Sequence, residues 1–201
     1  MMTVMRKARA SARAAAKAQT HERIVAVAAR AIRRTGYDGT GVADLMKEAG
    51  LTHGAFYTHF ASREALLAEA TGHACTESAA AATQAVAALP PERALQSMLA
   101  AYLSEAHLRN VERGCPLTAL GSETPRQTPE VRRATTRYIK EMADLVARQL
   151  PDWGQPQAHD RALVTMAALV GALVLARAVD EPALAQRLLD TTRKHLGGTT
   201  A

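Results

Sequence analysis

The sequence predicts an all-α fold, and three observations lead to that prediction. Nearly half of the 201 residues are apolar (48%), alanine is abundant, and only 3% of the residues are aromatic. Alanine favours helices, whereas the aromatic and β-branched side chains that favour strands are sparse. Apolar residues recur at helical spacing, and prolines and glycines interrupt the pattern at intervals. A chain of this length buries a substantial core, so its folding needs no external staple.

Residues 1–19 form a basic segment at the start of the chain. The segment contains five Lys or Arg side chains and no carboxylates. Two interpretations remain open, a mobile arm that contacts an anionic partner or a solvated helical extension. We assign it separately from a helical head, residues 20–61, and from a larger helical body, residues 62–201.

Three short helices separated by glycines are predicted for the head. Each begins after a threonine, and the first two stop at a glycine. The first helix carries apolar residues at helical spacing from Ile24 onward, and its arginines, including Arg33, fall mostly on the other side. Phe56 and Phe60 lie four residues apart on the inner side of the third helix. The threonines are Thr20, Thr40 and Thr52, of which the first and last are expected to act as N-caps, and the glycines are Gly36 and Gly50.

The body is predicted to contain roughly six helices. Its first helix begins near Ser62, whose side chain can cap it, with Glu64 favourably placed in the first turn. No internal repeat or long linker is visible, so head and body should touch directly. The predicted breaks fall at 90–91, 114–116, 124–125, 128–129, 151–156 and Pro182.

The positive charge of the chain is confined to its first part. Of the net charge of +6, all arises in residues 1–60, which carry ten Lys or Arg side chains and four carboxylates, whereas the remainder carries fifteen of each. A localised charge of this kind indicates a localised anionic partner. DNA, RNA and a membrane surface are all compatible with it.

Several classes of protein find little support. Cys75 and Cys115 have no metal-like or disulfide-framework spacing, which favours a reducing cytoplasm. The longest uncharged apolar run, residues 162–176, is short of the ~20 residues that cross a bilayer as a helix, so it is interpreted as a buried helix. The basic N-terminus lacks the apolar stretch of a secretory signal. We therefore expect a cytoplasmic protein.

Enzyme and metal chemistry are likewise not predicted. His53 and His59 lie six positions apart on one helix, a rotation of about 240°, so they do not share a face for a metal. Cys75, His107 and Cys115 have no recognisable nucleophile spacing, and Ser104 beside Glu105 is interpreted as ordinary helix surface. We expect no catalytic residues, no metal and no cofactor.

Residues 42–60 contain the parts of a helix-turn-helix motif, which needs a short supporting helix, a sharp turn and a recognition helix. Gly50 makes the turn. The inner face is apolar, whereas the outer face is rich in hydrogen-bonding groups, as a surface that faces DNA requires. The inner residues are Leu45, Ala49, Leu51 and Phe56, and the outer residues are Thr52, His53, Ala55, Tyr57, Thr58 and His59.

An ordinary aromatic core is the alternative interpretation of this segment. We accept it for Phe56 and Phe60. For Tyr57 and His59 we favour DNA contact, because Tyr57 directly follows a core position and both residues share the outer side of a short helix.

The segment from Ile24 to Leu67, about a quarter of the chain, resembles the TetR family of bacterial regulators. Gly36–Thr40 matches the glycine-turn-threonine start of the family motif, Ala49–Phe60 matches AGxxxGxFYxHF, and Ser62–Leu67 matches S-K/R-E-x-L-L. Residues 114–123 also look like a segment found in the body of some members. The resemblance implies a DNA-binding head and a body that binds a small effector and dimerises.

The resemblance also implies which residues contact DNA. Phosphate contacts are carried over to Thr40, Tyr57, His59 and Arg63, and positions near base edges to His53, Gly54, Ala55 and Thr58. Gly41 stands where the family often has a second Thr or Ser, so one phosphate contact is expected to be missing. With Thr52 from the outer face, the candidate DNA-binding set is Thr40, Thr52, His53, Gly54, Ala55, Tyr57, Thr58, His59 and Arg63.

The body is expected to enclose an aliphatic cavity, because no Phe occurs after residue 60. The resemblance implies an inducer pocket there, which suits a small, mainly apolar effector. Cys115 follows Arg109 and Arg113, so an electrophile sensor is one interpretation and a small buried hydrophobe the other. The candidate lining residues, each also compatible with plain core, are Met98, Tyr102, Leu117, Tyr138, Met142 and Met166.

A homodimer is expected through helices near 160–178 and 183–195. Residues 163–178 are apolar on nearly all sides, which fits a helix covered by its own chain on one face and by a partner on another, or else a core helix. The resemblance implies a four-helix interface, two recognition helices in successive major grooves and a palindromic operator. It further implies release from DNA when the effector shifts the first body helix, with repression as the usual outcome. A small-molecule-binding or scaffold protein with a non-specific basic head is the alternative.

Overall fold

The helical prediction is confirmed by the computed structural model, which describes residues 2–198 and, for side chains, residues 11–90 and 93–198. Within those bounds the chain forms nine α-helices, two 3₁₀ helices and no strands. The 3₁₀ helices are His53–Thr58 and Thr124–Arg126. The α-helices are α1 (Met2–Thr35), α2 (Val42–Glu48), α3 (Arg63–Ala87), α4 (Pro91–Tyr102), α5 (Glu105–Arg109), α6 (Pro116–Leu120), α7 (Pro129–Ala147), α8 (Gln157–Ala178) and α9 (Pro182–Gly198).

Two apolar cores meet on one helix. The head core gathers side chains from the second half of α1, from α2 and from the first 3₁₀ helix, and it takes Leu66 to Ala74 from α3. The body core is built from α3, α4, α7, α8 and α9, and it takes Cys75 to Val86 from α3. Because α3 contributes to both cores, it connects the head to the body physically.

The helix ends of the head follow the predicted local signals. Gly36 and Gly50 adopt φ values of +77° and +70°, in the left-handed region that suits glycine after a helix. Ser62 caps α3, because its hydroxyl accepts a hydrogen bond from the Ala65 N–H at 3.1 Å. These residues fix the turns on both sides of the helix-turn-helix segment.

The start of the first helix differs from the prediction. Helix α1 is continuous from Met2, so Thr20 is not an N-cap, and its hydroxyl donates instead to the Ala16 carbonyl at 2.9 Å. The alanine-rich residues before Thr20 have high helix propensity, which outweighs the capping tendency of a threonine. The basic segment is helical over residues 2–19, its contact with an anionic partner stays a prediction, and Met1 lies outside the described residues.

Two further residues, Ser104 and Thr52, differ from their predicted roles at helix starts. Ser104 is not ordinary helix surface, because its hydroxyl accepts from the His107 N–H at 3.1 Å and caps the short helix α5. This extra break gives the body seven α-helices between residues 63 and 198, instead of about six. Thr52 precedes a 3₁₀ helix, but its side chain makes no capping hydrogen bond.

A buried guanidinium joins the head to the body. The side chain of Arg33 is fully buried, whereas the sequence pattern had assigned it to the polar side of α1. It donates to the Ala29 carbonyl at 3.0 Å, to the Gly114 carbonyl at 3.2 Å and to the Glu77 carboxylate at 2.6 Å. One side chain thereby binds α1, α3 and the loop before α6 together.

A second contact between head and body lies nearby. The carboxylate of Glu123 accepts a hydrogen bond from the Tyr37 N–H at 2.8 Å. A β-carbon at Gly36 would lie 2.5 Å from this carboxylate, so the close approach requires glycine there as well as its positive φ. The turn after α1 is therefore fixed against the body.

Replacing Arg33 by methionine is expected to destabilise the protein by about 2–3 kcal/mol, because the Gly114 carbonyl and the Glu77 carboxylate lose their partner. The cost stays below that of a fully buried ion pair, since the side chain of Glu77 is 41% exposed. Urea unfolding measures it. The control is Arg34→Met, which removes an exposed arginine paired with Glu48 and Glu112 and should cost at most about 1 kcal/mol. Equal losses for the two variants would contradict the role given to Arg33.

Candidate DNA-binding surface and effector cavity

The helix-turn-helix segment is built from α2, a glycine turn and the first 3₁₀ helix. The Gly50 N–H donates to the Lys47 carbonyl at 3.0 Å, and the Leu51 N–H donates to the Met46 carbonyl at 2.8 Å. Phe56 and Phe60 are buried beneath the 3₁₀ helix with their rings stacked, 5.5 Å between centroids. The buried aromatic pair sets which side of this helix faces outward.

The outward side carries most of the predicted DNA-binding residues. Tyr57 is 69% exposed, which is unusual for a large aromatic side chain. Its ring packs edge-on against the rings of Phe56 and His53, with 5.2 Å and 6.0 Å between the ring centroids. Thr52, His53, Gly54 and Thr58 are also exposed, whereas Ala55 and His59 are half-buried.

Thr40 and Arg63 lie elsewhere in the head. Thr40 is buried, and its hydroxyl donates to the Gly36 carbonyl at 2.7 Å. Arg63 donates from Nε to the Thr40 carbonyl at 3.2 Å and from Nη2 to the Tyr37 carbonyl. In the structure these two side chains brace the turn before α2. A phosphate contact from the Thr40 hydroxyl would require its bond to Gly36 to break, whereas Nη1 of Arg63 makes none of these bonds, and both phosphate contacts stay predictions.

The surroundings of His59 disfavour the charged form of its imidazole. Burial lowers the pKa of its imidazole, and the nearby positive groups of His21 and Lys17 lower it further. Its Nδ1 is buried without a hydrogen-bond partner among the described residues.

Two lysines that the sequence reasoning did not select lie close to this surface. Lys47 is exposed on α2, the supporting helix of the motif, which crosses the DNA backbone in such proteins. Lys17 is exposed on the extension of α1 and near enough to influence His59. The signal for Lys47 was a basic residue in the supporting helix. The signal for Lys17 was the uninterrupted alanine-rich helix that carries it.

The body contains a cavity of about 240 Å³, partly open to solvent, between α3, α4, α7, α8 and the loop before α6. Its wall is mainly alanine, methionine and aliphatic side chains. The structure brings all six predicted lining residues together around this one cavity: Met98, Tyr102, Leu117, Tyr138, Met142 and Met166.

The cavity has one polar end, where hydrogen bonds connect three elements. The Cys115 N–H donates to His107 Nε2 at 3.1 Å, and His107 Nδ1 lies 2.8 Å from the Tyr102 carbonyl, to which it must donate. The imidazole is therefore neutral, with its proton on Nδ1. Tyr138 shares a hydrogen bond of 2.9 Å with the Ser78 hydroxyl and lies 3.6 Å from the Cys115 sulfur.

The position of Cys115 leaves both of its interpretations open. The residue is buried, as a small hydrophobe would be, yet it lines the cavity. Arg113 is exposed, and Arg109 forms an ion pair with Glu105 on the surface. The electrophile-sensor hypothesis stays a prediction. For Cys75, burial raises the pKa of the thiol to about 12, so this second cysteine is protonated at neutral pH.

An apolar surface is exposed on α8 and α9. Leu163, Val164 and Leu175 on α8 are 50%, 67% and 55% exposed, and Leu184 on α9 is 39% exposed. By length and composition alone α8 could also cross a membrane. It packs against α6, α7 and α9 within the helical body, which is the arrangement of a core helix with one uncovered face.

Comparison with known proteins identifies both parts of the chain. Residues 24–70 match the model of bacterial regulatory proteins of the tetR family, and residues 91–188 match the C-terminal domain of LmrA/YxaF-like transcriptional regulators. The chain belongs to the TetR family of transcriptional regulators. It is thus a regulator of transcription with a DNA-binding head, and not an enzyme.

The TetR-family relatives cover most of the chain. An uncharacterized HTH-type transcriptional regulator of Mycobacterium tuberculosis is 30% identical over 165 residues, which cover 78% of this chain and 83% of the relative. The HTH-type transcriptional regulator LmrA of Bacillus subtilis is 26% identical over 173 residues, covering 78% and 85%.

Solved TetR-family structures share the fold. A regulator from Chloroflexus aurantiacus superposes with a TM-score of 0.77 at 26% identity, covering 90% of this chain and 94% of that chain. Reduced NemR of E. coli superposes with a TM-score of 0.75 at 19% identity, covering 90% and 96%. The second likeness, at its low identity, concerns the fold alone.

His107 is expected to make this TetR-family regulator less stable in mild acid. Burial lowers the pKa of its imidazole, and the nearby Arg177 guanidinium lowers it further, while the bond to the Tyr102 carbonyl opposes the shift. As the pH falls below about 6.5, the imidazole binds a proton in the unfolded chain but not yet in the folded chain. The free energy of unfolding therefore falls until the folded imidazole is protonated as well. The loss amounts to about 1.4 kcal/mol per pH unit at most.

Urea unfolding between pH 7.5 and pH 5 tests this expectation. His107→Ala should flatten the loss relative to the native chain, and His59, whose pKa is lowered too, should supply part of the remaining slope. The control His73→Ala removes an exposed histidine and should leave the slope unchanged. A His107→Ala slope equal to that of the control would count against the neutral imidazole.

Proposed function

We propose that this chain is a cytoplasmic repressor that binds a palindromic operator as a homodimer and is released by a small, mainly apolar molecule. The contact between Arg33 of α1 and the Gly114 carbonyl carries the proposal. Gly114 lines the cavity, and Arg33 lies at the end of α1 beside the turn that leads into the helix-turn-helix. A hydrogen bond thus connects the proposed effector site directly to the DNA-binding head.

DNA binding would use the exposed side of the 3₁₀ helix. The Tyr57 hydroxyl suits a phosphate contact, while His53, Gly54, Ala55 and Thr58 suit the edges of bases in the major groove. Lys47 and Lys17 would add contacts to the phosphate backbone of the DNA. The positive charge confined to residues 1–60 supports this surface as the anion-binding part of the molecule.

Dimerisation would use the exposed apolar face of α8 and α9. Large exposed apolar patches on a globular body favour a protein interface. Helix α8 packs against α6, α7 and α9 of its own chain and leaves this apolar face exposed, and two copies related by a two-fold axis would form a four-helix contact. Two recognition helices would then lie roughly 34 Å apart, one helical turn of DNA, which requires an operator with two-fold symmetry.

Release would follow from a shift of α3 and of the loop before α6. Both line the cavity, and both are bonded to Arg33, α3 through Glu77 and the loop through Gly114. An effector that fits only one arrangement of these elements favours that arrangement of the heads. Coupling of this kind requires different effector affinities for the two arrangements.

Selection from a randomised DNA duplex pool, followed by fluorescence anisotropy, tests the DNA step. We expect a palindromic sequence to be enriched, and Tyr57→Ala to weaken its binding about tenfold or more through loss of a charge-assisted phosphate bond and of contact area. The control is Trp153→Ala, which removes another exposed aromatic residue outside the head and should leave affinity unchanged. Weak, salt-sensitive binding without enrichment of any sequence would support the scaffold alternative with a non-specific basic head.

Sedimentation equilibrium tests the interface. Leu175→Glu adds a charge to the exposed apolar face of α8. We expect it to raise the dissociation constant of the dimer at least tenfold. Trp153→Glu makes the matching change at a residue that is similarly exposed but lies between α7 and α8. A dimer that resists the first change, or that dissociates equally with the second, would refute this interface.

A further inference from the structure

We infer that the effector is an uncharged molecule with an apolar body and one oxygen that accepts a hydrogen bond from the Tyr102 hydroxyl. The inference rests on the proposed function in taking the cavity as the effector site. It goes further in naming the chemistry of the ligand and the atom that recognises it.

The size and the wall of the cavity indicate a compact apolar body. Pockets for drug-sized ligands occupy roughly 300–1,000 Å³, and this cavity holds about 240 Å³. Alanines of α3, three methionines and aliphatic side chains of α7 and α8 make up most of the wall. Methionine side chains adapt to ligand shape, so a rigid one- or two-ring compound can be enclosed.

The charges around the cavity disfavour an ionised ligand. Among the described side chains that line it there is no carboxylate, so an ammonium group would be buried without a counter-ion. Arg113 is at the edge but exposed to solvent, and Arg177 already donates to the carbonyls of His107 and Leu108 and to Thr118. His107 is neutral in its bonded tautomer. A carboxylate ligand would therefore also lack a buried cation.

The Tyr102 hydroxyl supplies the specific polar contact. Its oxygen is shielded from solvent and makes no hydrogen bond of ordinary length within the part of the chain that the structure describes, and the Cys115 thiol beside it is only a weak acceptor. Burial and the neighbouring Cys115 raise the pKa of the phenol well above its ordinary value, so the group keeps its proton and acts as a donor. A buried hydroxyl with only a thiol beside it lacks a strong acceptor, which destabilises the empty site, and a ligand oxygen that accepts its hydrogen bond removes that cost.

The other phenol at this end differs in the way that matters. Tyr138 already shares its hydrogen bond with Ser78 at 2.9 Å, so it gains little from a ligand acceptor. Tyr102 also holds His107 through its carbonyl, and His107 holds the N–H of Cys115. An oxygen bound at Tyr102 therefore lies beside the loop that reaches Arg33, which makes the contact suitable for signalling as well as for affinity.

Two matched series of compounds test the inference by calorimetry and thermal unfolding of the full chain. Each pair differs only in the acceptor: acetophenone with ethylbenzene, and 1-tetralone with tetralin. Charged relatives of the larger pair are 1-naphthoate and 1-naphthylmethylammonium. We expect at least one ketone to bind about five- to tenfold more tightly than its hydrocarbon, the effect of one neutral hydrogen bond. Both ions should bind more weakly than either member of the larger pair.

The variants are Tyr102→Phe and Tyr138→Phe. The first should abolish the preference for the ketone while leaving hydrocarbon binding unchanged, because it removes only the hydroxyl. The second is the control and should keep the preference. Equal binding of ketone and hydrocarbon, a preference retained in Tyr102→Phe, tighter binding of either ion, or no binding by any compound would overturn the inference. Equal binding is also the result expected if a water molecule satisfies Tyr102.

The ligand assay is made without DNA, and release from the selected operator is measured separately. If the ketones bind through Tyr102 but leave operator binding unchanged, the ligand chemistry stands and release by this site is refuted. If no operator is selected, the repressor proposal fails while the ligand result is unaffected. If the operator is bound selectively and the ketone preference is absent, only the ligand inference fails.

Discussion

The buried guanidinium of Arg33 constrains how the two halves of the molecule can sit together. A charge removed from water must have its N–H groups paired, and its partners here come from α1, from Glu77 on α3 and from the carbonyl of Gly114. None of these three elements can move far alone without leaving a buried donor or acceptor unpaired. The wall of the cavity and the end of α1 therefore behave as one hydrogen-bonded unit. The buried bonds therefore oppose a displacement of α3 or of the loop before α6 that leaves the end of α1 behind.

The polar atoms of the cavity extend that unit. Arg177 donates to the carbonyls of His107 and Leu108, which ties the short helix α5 to α8. His107 in turn bridges the end of α4 and the N–H of Cys115. These bonds are made by side chains to backbone atoms at the ends of helices α4 and α5 and in the loop before α6, where regular helical partners are lacking. The same residues that satisfy the loop before α6 thus define the polar end of the cavity, so structure and recognition depend on one set of contacts.

Local signals in the sequence predicted local structure well, and long-range bonds account for most of what they missed. Gly36, Gly50 and Ser62 act at helix ends through conformation and capping within a few residues, so their roles follow from the sequence. The lining of the cavity was also predictable, because the body lacks Phe and must build its core from Met, Tyr and aliphatic residues. Arg33, in contrast, was assigned to the polar side of α1, and the inward bonds of Thr40 and Arg63 were unforeseen. The partners of Arg33 and Arg63 lie 81 and 23 residues away, where only the fold determines whether a donor turns inward, whereas Thr40 bonds back to the Gly36 carbonyl four residues before it.

In the proposed release step, a tilt of helix α3 carries movement from the cavity to the head. It has 25 residues, about 38 Å at 1.5 Å per residue, with its first half in the head core and its second half beside the cavity. Over that length a tilt of about 5° moves one end by about 3 Å relative to the other. Close-packed cores change between discrete arrangements more readily than they deform continuously, so a ligand that selects one arrangement shifts the whole helix. In the proposed dimer the two heads must meet successive major grooves together, so displacing each head by that amount works against the fit of both.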